Sequence, residues 1–267
     1  MDTVESFPVQ LFLKKVASQP RASDKLLEAR NLFINSGVLD SAQGSAYIEM
    51  GATKLLCSVD GPRENTKEVY STDLCVQGTV QVAVKYAAFA TGQPLRRDKK
   101  RNDGATDTET TFSDLLRDAL GPVIVLEKYP KSQITINVTV LEDLGGVLAA
   151  ALTCATVALA DAGIELYDMA LTTTLAVANS TILVDPSSDE LAAFEDSHES
   201  VGLLTYGLMP SLNQVCLCYQ SGRLTLDQYK TVLSHANNLC LSTYPCVQKA
   251  VSRAVQRKAK KTPTSGQ

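Results

Sequence analysis

Two neighbouring glycines, Gly145 and Gly146, stand directly before an uncharged run of small and apolar residues at 147–160. Such a run predicts a buried helix that begins just after the glycines. The first turn of a helix carries backbone N–H groups without intrahelical partners, and together with the helix dipole these groups can bind a phosphate. A lone Gly-Gly pair is a weak signal, however, and a core helix after a tight turn is the commoner case.

A second set of residues suited to phosphate lies in the most polar stretch of the chain, at 91–108. Lysine and arginine side chains neutralise RNA phosphates without reading the base sequence. The stretch predicts either a solvated loop, which its composition favours, or a flexible basic segment that contacts RNA. Its candidate RNA-binding residues are Arg96, Arg97, Lys99, Lys100 and Arg101.

The histidines and cysteines offer little for metal or nucleophilic chemistry. His198 and His235 lack metal-ligand spacing to each other or to a cysteine, so a zinc site and a Ser-His-Asp site both lack material. The seven cysteines include no Cys-x-x-Cys pair, and an odd number favours buried thiols in a reducing compartment over a disulfide framework. We therefore expect no metal and no cofactor.

The overall composition, with 45% apolar and 20% charged residues, is that of an ordinary globular protein. The formal net charge of −4 argues against attraction of the whole surface to nucleic acid and permits a local basic patch. No apolar run reaches the roughly 20 residues that a membrane helix needs, and the N-terminus does not resemble a signal peptide. These features predict a soluble intracellular protein without a membrane contact.

Alternating apolar residues predict strands on both sides of the helix at 147–160. Before it we expect strands at 32–38, 45–50, 53–59 (ended by Gly61-Pro62), 74–86, 123–126 and 132–141, with a helix at 110–119. After it we expect strands at 170–178, 181–184, 201–210 and 214–219, an acidic loop at 185–200, and a helix from 226 to about 259 that Pro245 could break. This order indicates an α+β fold, with an N-terminal arm at 1–27, one domain at 28–261 and a frayed tail at 262–267.

Several separated segments stand out along the chain: GSAYIE at 44–49, VDGP at 59–62, ALADAGI at 158–164, ILVD at 182–185 and LMP at 208–210. In composition and order they resemble the ribonuclease PH-type subunits of the eukaryotic RNA exosome ring, and the resemblance spreads over residues 28–257. The resemblance implies a ribonuclease PH fold, which is built from two βαβ-like halves and is similar to the second domain of ribosomal protein S5.

Active members of that family cleave RNA from its 3′ end with phosphate as the attacking nucleophile. The resemblance implies that they need two arginines ahead of the first helix and a Gly-Thr-Arg turn before the central helix. This chain has Asp107 and Thr108 at the first place, and Val147 and Leu148 in place of the threonine and arginine. The turn at 145–148 is therefore expected to keep the shape of a phosphate site without its hydroxyl donor and its cation.

The family also uses two carboxylates on the hairpin after the central helix. Asp185 matches the first of them, whereas the second has no clear register because 187–197 carry an insertion relative to the family. The candidates for it are Asp189, Glu190, Glu195 and Asp196. One carboxylate without a phosphate site does not make an active centre.

Together these departures predict a non-catalytic structural subunit of a hetero-hexameric exosome ring. The resemblance implies that such a ring is made of related subunits, threads single-stranded RNA towards a nuclease elsewhere, docks S1- or KH-domain cap subunits, and serves RNA processing and degradation, including that of ribosomal RNA, in the nucleus, nucleolus and cytoplasm. The alternative is an active phosphate-dependent 3′-to-5′ exoribonuclease, in which Lys85, Arg96 or Arg97 would replace the missing arginines. A third possibility, an α+β domain of another role, requires that the ordered matches be accidental.

Overall fold

The computed structural model describes residues 27, 29–64, 78–90, 107–178, 181–197 and 200–261. Within these ranges the strands are β1 Leu32–Ser36, β2 Gly44–Met50, β3 Thr53–Glu64, β4 Thr79–Tyr86, β5 Ser132–Glu142, β6 Leu171–Ala178, β7 Thr181–Val184, β8 Gly202–Met209 and β9 Gln214–Gly222. The helices are α1 Asp107–Leu120, α2 Val147–Ala162, α3 Ser188–Ser197 and α4 Leu226–Lys261, with a short 3₁₀ helix at Leu126–Lys128.

The strands form two sheets. The first has the order β1-β2-β3-β5-β4 and is antiparallel except for the parallel pair β4 and β5. The second has the order β7-β6-β8-β9 and is antiparallel throughout. The two sheets and four helices make an α+β fold, as the sequence predicts.

Alternation along β5 shows how the first sheet forms its half of the core. Ile134, Ile136 and Val138 are buried, while Thr135 and Asn137 between them are partly exposed. Since successive side chains of a strand point to opposite faces, one face of this sheet packs inward and the other is polar. The pattern that predicted the strand therefore also fixes which face meets the helices.

Helix α2 lies between the two sheets and packs against β2 and β3 on one side and β6 and β8 on the other. Every residue from Val147 through Leu159 is buried, which confirms the expectation of a helix that is apolar all round. Its small side chains allow close approach to β2. A Cβ on Gly44 would lie 2.3 Å from the backbone nitrogen of Ala162, so only glycine fits there.

Two predicted strand boundaries are wrong. Strand β3 does not end at Gly61-Pro62 but continues to Glu64, because a register shift between Asp60 and Arg63 places the proline where no ladder hydrogen bond is required from it. The residues predicted as a strand at 123–126 form a turn with a single bridge between Ile124 and Leu166. Residues 74–77 of the strand predicted at 74–86 lie outside the described part of the chain, and β4 begins at Thr79.

Two helix predictions need correction, and the prediction of a long last helix is confirmed without the break that Pro245 could have made. Helix α1 begins at Asp107, three residues before the predicted start. The predicted acidic loop contains α3. Helix α4 continues through Pro245, which lies with Leu241 on the exposed side of the helix. Because Pro245 has no N–H to donate to the carbonyl of Leu241, that carbonyl lacks its usual helical partner. It lies on the exposed side of the helix rather than in the core.

The six cysteines in the described part of the chain divide into two groups, although the sequence predicted buried thiols, and Cys75 lies outside that part. Cys57, Cys154 and Cys240 are buried and Cys216 is partly buried, but Cys218 and Cys246 are exposed. Burial raises the pKa of the Cys216 thiol from 9.0 to about 11 and that of Cys240 to about 12. Because the thiolate is the reactive form, these two thiols are chemically protected as well as sterically covered.

We therefore expect iodoacetamide to alkylate Cys246 far faster than Cys216 in the folded protein at mildly alkaline pH. The raised pKa alone makes the thiolate fraction of Cys216 about a hundredfold smaller than that of a thiol at 9.0. Mass spectrometry of the labelled peptides would measure both rates, and labelling in urea would show that Cys216 reacts once the fold is lost. Equal rates in the folded protein would contradict the arrangement of β9.

Candidate phosphate and RNA site

The Gly-Gly turn lies where the sequence placed it, directly before α2. Gly145 and Gly146 have φ angles of 98° and 73°, which L-residues with a side chain rarely adopt. Gly146 is the residue before the first helical turn, and its carbonyl accepts the N–H of Ala150 at 3.0 Å. The N–H of Gly145 donates to Asp143 Oδ1 at 3.0 Å, so one donor of the turn is already used by a carboxylate of the chain.

Two side chains from other elements close this turn. Arg30 Nη2 donates to the carbonyl of Gly145 at 3.0 Å, and Thr53 Oγ1 donates to the same carbonyl at 2.7 Å. A Cβ on Gly146 would lie only 2.6 Å from Arg30 Nη2, so the guanidinium packs directly on the backbone of the turn. The cation next to this helix start is therefore supplied by the segment before β1 and bound to a carbonyl.

The first two residues of α2 are part of the core. Val147 and Leu148 are each 5% exposed. Neither offers a hydrogen-bond donor beyond its backbone N–H, and neither carries a charge. This end of α2 therefore meets apolar packing and internal hydrogen bonds.

Asp185 is brought to the same region but is only 4% exposed. Its Oδ1 accepts the N–H of Thr174 at 3.1 Å and the hydroxyl of Thr173 at 3.3 Å. Its own N–H donates to the carbonyl of Thr174 at 2.7 Å, and its φ of 44° is a left-handed conformation that aspartate tolerates better than most residues. The carboxylate thus holds the start of a turn at the end of β7.

The space beside Asp185 is small. A cavity of about 20 Å³ is lined by Asp185, Arg30, Thr153 and Thr173, among other residues. That volume has room for about one water molecule, and a phosphate is larger. Arg30 lines the same cavity, so the buried carboxylate has a basic residue in its surroundings.

The candidates for the second carboxylate all lie on α3. Glu190 has a local role, because Glu190 Oε2 accepts the N–H of Ser187 at 2.9 Å while Ser187 Oγ accepts the N–H of Glu190 at 3.2 Å. This reciprocal pair is a capping box. This helix was not predicted, although Ser-x-x-Glu at 187–190 followed by Leu191 is a sequence signal for the start of a helix. Asp189, Glu195 and Asp196 are exposed on the same helix.

Replacing Ser187 by alanine is expected to destabilise α3 by about 1 kcal/mol, because the N–H of Glu190 loses its acceptor. Hydrogen exchange of the backbone amides of 188–197 would measure the local change. Ser188→Ala, one position later in the first turn, serves as the control. Equal exchange in both variants would contradict the capping role.

The start of α1 lies beside the end of β4. Ser113 Oγ accepts the N–H of Val84 at 2.9 Å, and Glu109 Oε1 accepts the N–H of Tyr86 at 2.9 Å. Burial raises the pKa of the Tyr86 hydroxyl, and a hydrogen bond to Asp143 and the charge of Glu109 raise it further. This electrostatic environment is acidic and disfavours a phosphate.

Asp107 and Thr108, the residues expected at the family's two arginine positions, lie at this place. They form the first turn of α1 with Glu109, so this turn carries two carboxylates. Lys85 is exposed on the edge strand β4. The five basic candidates at 96–101 lie outside the described residues.

Within the described ranges, no group of three or more His, Cys, Asp and Glu side chains is arranged to hold a metal ion. None of the described helices is both long and apolar enough to cross a membrane.

Residues 28–165 match the sequence model of domain 1 of the 3′ exoribonuclease family, RNase PH. The chain therefore belongs to the ribonuclease PH family, as its sequence motifs predicted. That match spans β1 to the end of α2 and so includes the Gly-Gly turn.

Among individual relatives, the chain is 34% identical to exosome complex component MTR3 of Mus musculus, over 97% of this chain and 95% of the mouse protein. The Homo sapiens protein of the same name is 33% identical over 95% and 93%. Exosome complex component Rrp41 of Nitrosopumilus maritimus is 32% identical over 84% and 86%. Three segments, GIELYD at 163–168, LMPSLNQV at 208–215 and the residues at 244–261, resemble mRNA transport regulator 3 subunits, which agrees with the first two matches.

Solved structures confirm the ribonuclease PH fold. Rrp46 of Oryza sativa superposes with a TM-score of 0.67 at 20% identity, covering 85% of this chain and 97% of that one. The Archaeoglobus fulgidus exosome with RNA bound to its active site gives a TM-score of 0.67 at 19% identity, covering 88% and 96%.

Proposed function

We propose that this chain is a non-catalytic subunit of an RNA exosome ring. In this proposal it pairs with other ribonuclease PH-like subunits in a hetero-hexamer and lines a channel for single-stranded RNA. It also offers a docking face for S1- or KH-domain cap subunits. The ring would act in 3′-to-5′ RNA processing and degradation in the nucleus, nucleolus and cytoplasm.

The observation that carries this proposal is the closed turn before α2. The carbonyl of Gly145 is bound by Arg30 and Thr53, and Leu148 is buried where a cation would be needed. A charge-assisted hydrogen bond to phosphate is worth about 1.5–3 kcal/mol, and the replaced side chains cannot supply it. Phosphorolysis depends most on binding of the attacking phosphate, so a low affinity for phosphate would prevent it.

A phosphorolysis assay on the purified chain tests the catalytic half of the proposal. Single-stranded RNA, phosphate and magnesium are incubated with the chain, and nucleoside diphosphates are measured, with an active ribonuclease PH in parallel as the positive control. We expect no diphosphate release from this chain. Release that is lost in Asp185→Asn would instead support the alternative of an active exoribonuclease, for which the retained carboxylate of Asp185 is the favouring observation.

Co-expression with ribonuclease PH-like subunits tests the structural half. We expect a complex of six such subunits by size-exclusion chromatography with light scattering, and protection of a longer RNA segment by the complex than by the chain alone. A chain that stays monomeric beside every related subunit would overturn the ring assignment even if it proved inactive.

We further propose that residues 28–261 fold as one domain, preceded by an arm at 1–27 and followed by a tail at 262–267. The packing of α2 on strands of both sheets supports this division. A single cooperative unfolding transition of a 28–261 fragment is the expected result, and two separate transitions would contradict it.

A further inference from the structure

The C-terminal helix α4 carries an unusual segregation of charge. The chain has 25 basic and 29 acidic residues, and no acidic residue follows Asp227. Six basic residues fall within 249–261, which leaves 19 basic and 29 acidic residues in the rest of the chain. We call residues 249–261 the cationic helix segment; its basic members are Lys249, Arg253, Arg257, Lys258, Lys260 and Lys261.

The cationic helix segment forms the C-terminal end of α4, and its outer side is exposed wherever its side chains are described. Cys240 and Val247 are buried and Val251 is partly buried, so the inward face of α4 can be followed up to that residue. Beyond it, the side chains described at Ser252, Arg253, Val255 and Gln256 are all exposed. The helical backbone continues to Lys261, about 15 Å further along the axis at 1.5 Å per residue.

Four of the six basic positions form a row on the side of the helix opposite the core, whereas positions 258 and 261 lie about 180° and about 120° from Lys249. At about 100° per residue, positions 249, 253, 257 and 260 fall within about 80° of arc. Positions 240, 247 and 251, which pack inward, lie about 160–200° away from Lys249. Lys249 and Arg253, the members of the row whose side chains are described, are both exposed.

Helix stability does not account for this row. Cations near a helix C-terminus interact favourably with the dipole, but that effect fades beyond the last turn and so does not extend to Lys249 and Arg253. Like charges four residues apart repel and destabilise a helix. A solvated surface helix would relieve that repulsion with carboxylates at intervening positions, and this segment has none. An external polyanion is the partner that would make the row favourable.

We propose that the cationic helix segment binds the phosphate backbone of single-stranded RNA. Successive cations four residues apart rise by about 6 Å along the axis, and a linear row of this kind suits a linear chain of phosphates better than a compact acidic patch on a protein. The binding is independent of base sequence and depends strongly on salt. The choice of RNA as the polyanion rests on the proposed function.

The test compares two triple variants of the full chain that remove the same charge. The first is Lys249→Gln, Arg253→Gln and Arg257→Gln, and the control is Lys131→Gln, Arg223→Gln and Lys230→Gln, all exposed in the structure where their side chains are described. Glutamine is a good helix former, so α4 is expected to persist, which far-UV circular dichroism would check. Binding of a fluorescein-labelled oligouridylate is measured by anisotropy over a range of salt concentrations.

We expect the first triple to weaken binding about 10-fold at low salt and to lower the slope of log affinity against log salt by about 2, since each phosphate contact contributes about 0.7. The control triple is expected to keep the slope of the unaltered chain. Equal losses in both triples, or none in either, would overturn the proposal.

A second readout separates this inference from the ring assignment. If the first triple binds RNA normally but no longer assembles with ribonuclease PH-like subunits, the cationic helix segment contacts an acidic protein surface and the RNA assignment is wrong. The RNA measurement uses the isolated chain, so it can be interpreted even if the chain fails to assemble into a ring. Conversely, a failure to bind RNA would not change the result of the assembly measurement.

Discussion

Replacing Gly44 by alanine is expected to lower the free energy of unfolding by about 3 kcal/mol or more. The new methyl group would lie 2.3 Å from the nitrogen of Ala162 and 2.4 Å from the carbonyl oxygen of Ala158. Both atoms belong to the backbone of α2, which cannot rotate away as a flexible side chain would. Strand β2 and helix α2 would have to separate, and α2 contacts both sheets.

Urea denaturation followed by far-UV circular dichroism would measure the change. Gly121→Ala is the matched control, since its new Cβ would lie 3.7 Å from the nearest carbonyl oxygens, an ordinary contact distance. We expect the control to unfold within about 0.5 kcal/mol of the unaltered chain. If the two variants unfold at the same urea concentration, the close contact between β2 and α2 does not exist in solution.

Asp185→Ala is expected to cost about 3 kcal/mol of stability. The N–H of Thr174 and the hydroxyl of Thr173 would lose their acceptor in a buried site, which costs about 1–3 kcal/mol. Alanine would also have to adopt the left-handed φ of 44°, at a cost of about 1–2 kcal/mol. Denaturation by urea is again the measurement.

Asp185→Asn is the control for this prediction, because its amide oxygen can accept the same hydrogen bonds and asparagine tolerates a left-handed backbone. We expect it to recover most of the lost stability. A carboxylate that held a metal or moved a proton would give a different result: both variants would lose diphosphate release, and asparagine would rescue only the fold.

The sequence predicts most of the strands because their burial alternates. Apolar residues recur at every second position in Ile134, Ile136 and Val138. Among regular secondary structures, only a strand places residues with this spacing on one buried face. The continuation of β3 past Gly61-Pro62 was missed because it depends on the pairing of Arg63 with Gln133, 70 positions away. No local pattern reports such a pairing.

The predictions for α3 and α4 differ from the structure for two different reasons. The capping box of α3 was visible in the sequence, but the acidic composition around it was interpreted as a loop. The persistence of α4 through Pro245 was not visible, because it depends on Cys240 and Val247, on either side of the proline, being buried in the core. Tertiary packing here outweighs the local preference against proline.

The position of the candidate site followed from the sequence, whereas its closure did not. Gly145 and Gly146 mark the turn, and the family resemblance indicates which residues are replaced. Arg30 binds that turn from 115 positions earlier in the chain, in a stretch whose composition gives no sign of such a contact. A turn of this kind can thus be covered by a side chain that no motif includes.

The position of α2 along the chain has a consequence during synthesis. Its partners β2 and β3 precede it, but β6 and β8 emerge from the ribosome only later. When residues up to about 165 have emerged, the contacts of α2 with β6 and β8 are therefore not yet formed, and the apolar residues that these strands later cover are open to water. Chaperones bind exposed apolar surface of this kind, so we expect them to occupy the growing chain until β8 is complete and then to be displaced by the protein's own second sheet.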